Sequence, residues 1–287
     1  MILKRGRNRY YTSADDDDFV QAGLKNQVSV TKKYKFERKN FFVRLFDFLL
    51  YYVIAAPVLT IYFFFTLGAI KVKGKKNLKK LRKTGYVAYG NHTQSFDPFL
   101  FAIKCVFPRR VHVLVNRAAI TIPVARIFTK SLGAIPLADT VSGLKNMNNY
   151  MQKVLINKKQ CIVIYPEAHL WPYCEFVRNF RASSFKFAAT AGVPALPYCI
   201  TYTKRTRGFG KFKKEIKPKL TINILSPVFP DDKLGVKENT LVMAQKCEEQ
   251  IRKTIAEANS YGYYNYEQVS EEALEKMKKN RKKKKQD

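Results

Sequence analysis

The longest unbroken apolar stretch of the chain runs from Phe48 to Ile70 and contains no charged residue. Downstream, short apolar runs rich in β-branched and aromatic residues alternate with longer segments whose apolar positions recur at helical spacing. The first kind predicts strands at 86–90, 111–115, 161–165, 194–201 and 219–225; the second predicts helices over 97–105, 118–131, 140–157, 178–191 and 239–258. Strands alternating with helices describe an α/β domain with a largely parallel sheet flanked by helices on both faces. In such sheets the reactive loops gather at the carboxyl ends of the strands. No internal repeat or Gly/Ser-rich linker interrupts the pattern. The chain therefore divides into a basic polar segment (1–40), an apolar segment (41–72), a globular domain (73–265) and a basic, helical or disordered tail (266–287).

About 20 apolar residues suffice to cross the hydrocarbon layer of a bilayer. The apolar run begins too late, and is too long and aromatic, for a cleavable signal peptide. Arg44 flanks it on one side and Lys71, Lys73, Lys75 and Lys76 on the other. The heavier flank places the domain on the cytoplasmic face of the cell membrane. Pro57, near the middle, allows either a kinked single span or a helical hairpin that enters one leaflet and returns. A buried core helix is the alternative. Residues 1–40 include the run Asp15-Asp16-Asp17-Asp18. That run lacks the alternation and glycine of a calcium loop, and the segment reads as solvated and mobile.

The charge balance, 53 Lys+Arg against 22 Asp+Glu for a net +31, draws anionic partners: lipid headgroups, nucleic acid or an acidic carrier protein. The tail from Lys276 to Lys285 is almost purely basic. At roughly 1 kcal/mol per juxtamembrane lysine it could hold the chain to an anionic bilayer. Nucleic-acid binding, the competing use of such a tail, is disfavoured by the apolar segment. Cys105, Cys161, Cys174, Cys199 and Cys247 are odd in number and form no C-x-x-C pair, which suggests neither a disulfide framework nor a zinc site. Cys161 and Cys199 read as core fillers. His112 alternates with apolar residues and is expected on the wetter face of its strand.

Candidate chemistry lies just after the strand Tyr86–Gly90, where the chain reads Asn91-His92-Thr93-Gln94-Ser95-Phe96-Asp97-Pro98. An imidazole held in one tautomer by an acid can take a proton from a hydroxyl. Asp97-Pro98 suits a helix N-cap and first helical residue, and the turn can fold the carboxylate back toward His92. The plainer alternative is that Asp97 only caps its helix and His92 is a polar loop residue.

Asn91-His92 with Asp97 resembles the first motif of the glycerolipid acyltransferases, the 1-acylglycerol-3-phosphate (lysophosphatidate) acyltransferase family. Its later blocks have counterparts in order. Gly133-Ala134-Ile135-Pro136-Leu137 resembles the second, Tyr165-Pro166-Glu167-Ala168-His169-Leu170 the third (usually Phe-Pro-Glu-Gly-Thr-Arg), and Val193-Pro194-Ala195-Leu196-Pro197 the fourth. The resemblance spans roughly residues 70 to 230. It departs from the pattern where the family usually carries arginines. Ala138-Asp139 follows the second block, and His169-Leu170 ends the third.

The resemblance implies a mixed, largely parallel sheet flanked by helices, with His92 as general base and Asp97 orienting it. It implies Glu167 as a hydrogen-bonding group for the acceptor's glycerol. Arg117, Arg178 and Arg181 stand in for the missing arginines at the acceptor's phosphate, with Arg181 the best placed, and His169 neighbours the groove. The implied reaction moves a fatty acyl group from acyl-CoA or acyl carrier protein to the sn-2 hydroxyl of lysophosphatidate, making phosphatidate at a membrane. No cofactor or metal is expected beyond the thioester co-substrate. The alternatives are another lysophospholipid acceptor, a non-phosphate acceptor, or a non-catalytic basic adaptor on a membrane surface.

Overall fold

The computed structural model describes residues 2–17, 19, 27–121, 123–209, 212 and 214–283. Asp18, residues 20–26 of the amino-terminal segment, Ile122 within the predicted helix 118–131, and residues 284–287 of the basic tail lie outside the described residues. Among the described residues ten strands occur in two sheets: β1 (Ile2–Arg5), β2 (Asn8–Tyr11), β3 (Lys71–Lys73), β4 (Tyr86–Gly90), β5 (Val111–Val115), β6 (Ala134–Pro136), β7 (Cys161–Ile164), β8 (Ala195–Arg207), β9 (Lys214–Ile224) and β10 (Asn265–Gln268).

The larger sheet has the order β3-β9-β8-β4-β7-β5-β6. All its neighbours are parallel except the β8–β9 hairpin, so the expected mixed, largely parallel α/β sheet is what forms. Its central strands are apolar at every position because both faces are covered. Val87, Tyr89, Ile162 and Ile164 point to one side, against the helices Val141–Gln152, Lys186–Ala191 and Val236–Glu257. Tyr86, Ala88, Cys161 and Val163 point to the other, against Leu100, Phe101 and Phe63. Cys161 and Cys199 are fully buried. His112 departs from expectation: it is buried rather than wet, with Nε2 3.0 Å from Gln160 Oε1.

The predicted helix at 178–191 begins only at Ala182, because Arg178 turns inward to meet a carboxylate. The helix predicted at 239–258 starts earlier, at Val236, where the Glu238 carboxylate accepts the Gly235 N–H at 2.9 Å, and a further helix, Glu271–Lys283, lies in the tail. The apolar segment is one continuous helix, Phe41–Leu67, with π-type turns at Leu49–Ala55 that lead into Pro57. At ~1.5 Å per residue it is ~40 Å long. It lies along the domain rather than apart from it. Asp47 pairs with Arg38 near its start, and Phe63 is fully buried near its end. Phe41, Phe42, Phe48, Val53, Phe64 and Phe65 are left exposed.

The amino-terminal segment is not the solvated coil its composition suggests. β1 and β2 form a hairpin, and β10 pairs with β2 in parallel. Asp17 is buried, and its carboxylate accepts the backbone N–H groups of Thr12 (2.8 Å) and Ser13 (3.0 Å). Tyr11, Phe19 and Tyr266 close around Trp171, whose indole N–H donates to the Asp17 carbonyl at 2.7 Å.

Candidate active site

β4 ends at Gly90 because nothing larger fits: a Cβ there would stand 2.4 Å from the Tyr198 ring. The next residue fixes the departing loop. Asn91 is fully buried, accepts the Ile200 N–H at 2.8 Å and donates to the Ile200 carbonyl at 3.0 Å. Its side chain thus imitates one more strand residue beside β8. From that anchor the loop turns into the short helix that opens at Asp97-Pro98.

Asp97 does not cap forward as the sequence suggested. Its Oδ2 reaches back to accept the N–H groups of Thr93 (2.7 Å) and Gln94 (2.8 Å), and it lies 3.2 Å from His92 Nδ1. The carboxyl group has no exposed surface, and burial pushes its pKa up; His92 and the two N–H groups oppose that rise. The imidazole is held on a second side by Tyr165, whose ring stacks on it at 4.2 Å between centroids and 17° between planes. Tyr198 donates to the Tyr165 hydroxyl at 3.0 Å, and Tyr202 donates to Thr93 Oγ1 at 2.8 Å. Burial holds all three phenols well above their ordinary pKa, so they are neutral hydrogen-bonding walls. With Nδ1 committed to Asp97 and the side chain 21 % exposed, Nε2 is the nitrogen left for a substrate.

The loop after β7 is drawn onto this turn by two backbone bonds, Trp171 N–H to the His92 carbonyl (3.1 Å) and Tyr173 N–H to the Thr93 carbonyl (3.0 Å). Glu167 lies within it and is buried, 2.7 Å from Arg178 Nη2. Arg178 also donates to the His169 carbonyl, and its guanidinium sits 4.8 Å over the Trp171 ring. Burial raises the Glu167 pKa, and the charges of Arg178 and His92 pull it back. Among the described residues Glu167 Oε1 and Arg178 Nε and Nη1 have no hydrogen-bond partner. Ala168 sits at φ 65°, a left-handed conformation that favours glycine.

The other expected residues scatter around this centre. Arg181 is exposed, with its N–H on the Pro166 carbonyl (2.9 Å) and its side chain toward the Asp15 carbonyl (3.4 Å). Arg117 pairs with Asp139 at 2.6 Å, so the acid found where the resemblance leads one to expect arginine itself holds an arginine from the neighbouring loop. Asn91, Tyr165, Tyr198 and Tyr202 carried no assigned role in the sequence. Only the adjacency of Asn91 to His92, and of Tyr165 to Pro166-Glu167, pointed at two of them.

The parallel core and the oriented imidazole at its carboxyl edge suit hydroxyl activation for group transfer. Residues 69–201 match the family model described as Acyltransferase. The solved structure of the 1-acyl-sn-glycerophosphate (LPA) acyltransferase PlsC from Thermotoga maritima is similar at 19% identity and a TM-score of 0.48, covering 72% of this chain and 86% of that one. No curated protein is a significant match.

Proposed function

We propose that this acyltransferase carries a fatty acyl group from a thioester, acyl-CoA or acyl carrier protein, to the sn-2 hydroxyl of lysophosphatidate at a membrane surface. The observation that carries the reading is the bond from His92 Nδ1 to a carboxylate pinned by two backbone N–H groups. That arrangement leaves Nε2 to take the hydroxyl proton as the acceptor oxygen attacks the thioester carbonyl. The C–O bond forms, the C–S bond breaks, and the thiolate leaves with the proton returned by the imidazolium. No acyl-enzyme is needed.

Glu167, through its buried and unpartnered Oε1, would meet the acceptor's glycerol. Arg181, exposed beside the Pro166-Glu167 turn, is the cation best disposed toward its phosphate. Arg117 and Arg178 are held by carboxylates of their own and would act at most through those pairs. The apolar helix supports a membrane setting in a particular way. Clamped to the domain near both ends, it would present its exposed aromatic side to one leaflet, as interfacial helices do. Tyr62 lies 5.2 Å from Phe96, the residue before Asp97, so the same helix would lead acyl chains toward His92.

The test is one labelled acyl thioester offered to the full-length protein in detergent with lysophosphatidate, lysophosphatidylcholine and monoacylglycerol in parallel. Labelled phosphatidate should dominate. Thioester consumption with a different acceptor would replace the acceptor assignment, and no consumption at all would overturn the reading. Engagement of Arg117 by Asp139 and of Arg178 by Glu167 is what keeps a non-phosphate acceptor in that panel.

A further inference from the structure

Opposite the His92 turn, at the amino ends of β5, β6 and β7, lies a cavity of about 630 Å³, within the size range of small-ligand sites. Arg110 comes from the start of β5, Lys130 from the preceding edge of β6, and Lys153 and Lys158 from the helix that leads into β7. The amino-terminal side adds Arg38, Lys39 and Arg44, the last on the first turn of the apolar helix. Only two carboxylates, Glu37 and Asp47, share the wall. Glu37 is taken by Lys153 and Lys158, and Asp47 by Arg38. Arg110 donates to the Ser131 carbonyl and Lys130 to the Lys35 carbonyl, so neither meets an acid. The side chains of Lys39 and Arg44 have no partner among the described residues. Seven of the seventeen lining residues are cationic, against 53 of 287 in the chain. The surplus is therefore concentrated here beyond what composition supplies. Phe48 and Tyr52 of the apolar helix form one wall, which opens the cavity toward the exposed apolar side chains.

We propose that this cavity is a binding site for a phosphate-bearing anion, separate from the acyl-transfer centre. The ligand chemistry is a phosphate group of net negative charge, from a phospholipid headgroup or a free polyphosphate. The inference does not depend on the reaction at His92, and its test uses no thioester. Full-length protein in non-ionic detergent is titrated calorimetrically with dihexanoyl phosphatidylglycerol, dihexanoyl phosphatidylcholine and inorganic pyrophosphate. Saturable binding of phosphatidylglycerol, at least tenfold tighter than of phosphatidylcholine, identifies a lipid headgroup as the source; comparable binding of pyrophosphate identifies a free phosphate. Either should weaken at least tenfold in K39Q/R44Q, whose side chains hold nothing else together, and further in R110Q, and persist in H92A. Unchanged binding in K39Q/R44Q, loss of binding in H92A, or no binding of any anion would overturn the proposal.

Discussion

At the carboxyl edge of the sheet, charge is scarce, buried and paired; at the amino edge it is abundant, hydrated and unbalanced. His92 meets Asp97 at 3.2 Å and Arg178 meets Glu167 at 2.7 Å, with both carboxylates buried. Seven cations at the opposite edge face two carboxylates across an open cavity. Of the strands between, β4 and β5 have five residues and β7 four, so the two environments lie only ~13–17 Å apart at ~3.3 Å per residue. The contrast shows how burial decides what a charge can do. A desolvated carboxylate can hold an imidazole in one tautomer, but its own ionisation costs enough that backbone donors must support it. A hydrated surplus orients little, yet its field reaches about a Debye length and gathers counter-ions.

The sharpest way to break the comparison is at the paired edge. His92→Ala and Asp97→Asn should each lower acyl transfer by about 10²–10⁴-fold, the range for a lost or misdirected general base, with the thermal midpoint little changed in H92A. Near-normal turnover in either would remove the catalytic assignment. Next in size is the buried ion pair. R178M alone leaves Glu167 charged and alone in the interior, and should cost about 3–5 kcal/mol in urea unfolding. Replacing both partners, E167L/R178M, should recover much of that loss. Equal damage from single and double variants would show that the pair is not acting as a unit.

A pH titration of stability tests the amino edge. Burial and the nearby Arg110 charge lower the His112 pKa to about 3 from its ordinary 6.5. The unfolded chain therefore binds a proton between those values that the folded chain refuses. Stability from this group is complete above pH 6.5 and falls by about 1.4 kcal/mol per unit as pH drops from 6 toward 4. H112Q should lose that slope and leave the acid limb shallower than in the parent. The smallest effect is expected at Lys153, whose pair with Glu37 is 47 % exposed on the lysine side. K153Q should change stability by less than about 1 kcal/mol and leave transfer at His92 untouched. A larger loss would mean that the basic wall is a structural element after all.

What the sequence revealed, and what it hid, follows the same division between local and long-range order. The strands 86–90 and 111–115 were legible to the residue, because each is a short apolar run cut off by turn residues. β8 and β9 were read only in their buried halves. Their polar continuations, Thr203–Arg207 and Lys214–Lys219, are exposed or half-buried except at Pro218, and carry few apolar residues to follow. β3 and β6 are three residues each and carry no period. The pairing of β2 with β10 depends on strands whose apolar support, Phe19, Trp171 and Tyr266, comes from three distant segments. At the site, His92 and Asp97 were visible because six residues of chain contain them both. The inward turn of Arg178 toward Glu167 was not, since an arginine in a basic chain looks the same whether it meets solvent or a buried acid.

The small sheet also sets a schedule. Asn8 and Asn265, hydrogen-bonded across β2 and β10, are 257 positions apart. During synthesis the first strands emerge long before their parallel partner exists. Closing so long a loop costs only slightly more entropy than a shorter one, but it cannot happen early. The seal over Trp171, and through it the bed on which Arg178 lies, should therefore be among the last parts of the molecule to set. A nascent or carboxyl-terminally truncated chain would hold a formed sheet with an unfinished loop beside His92.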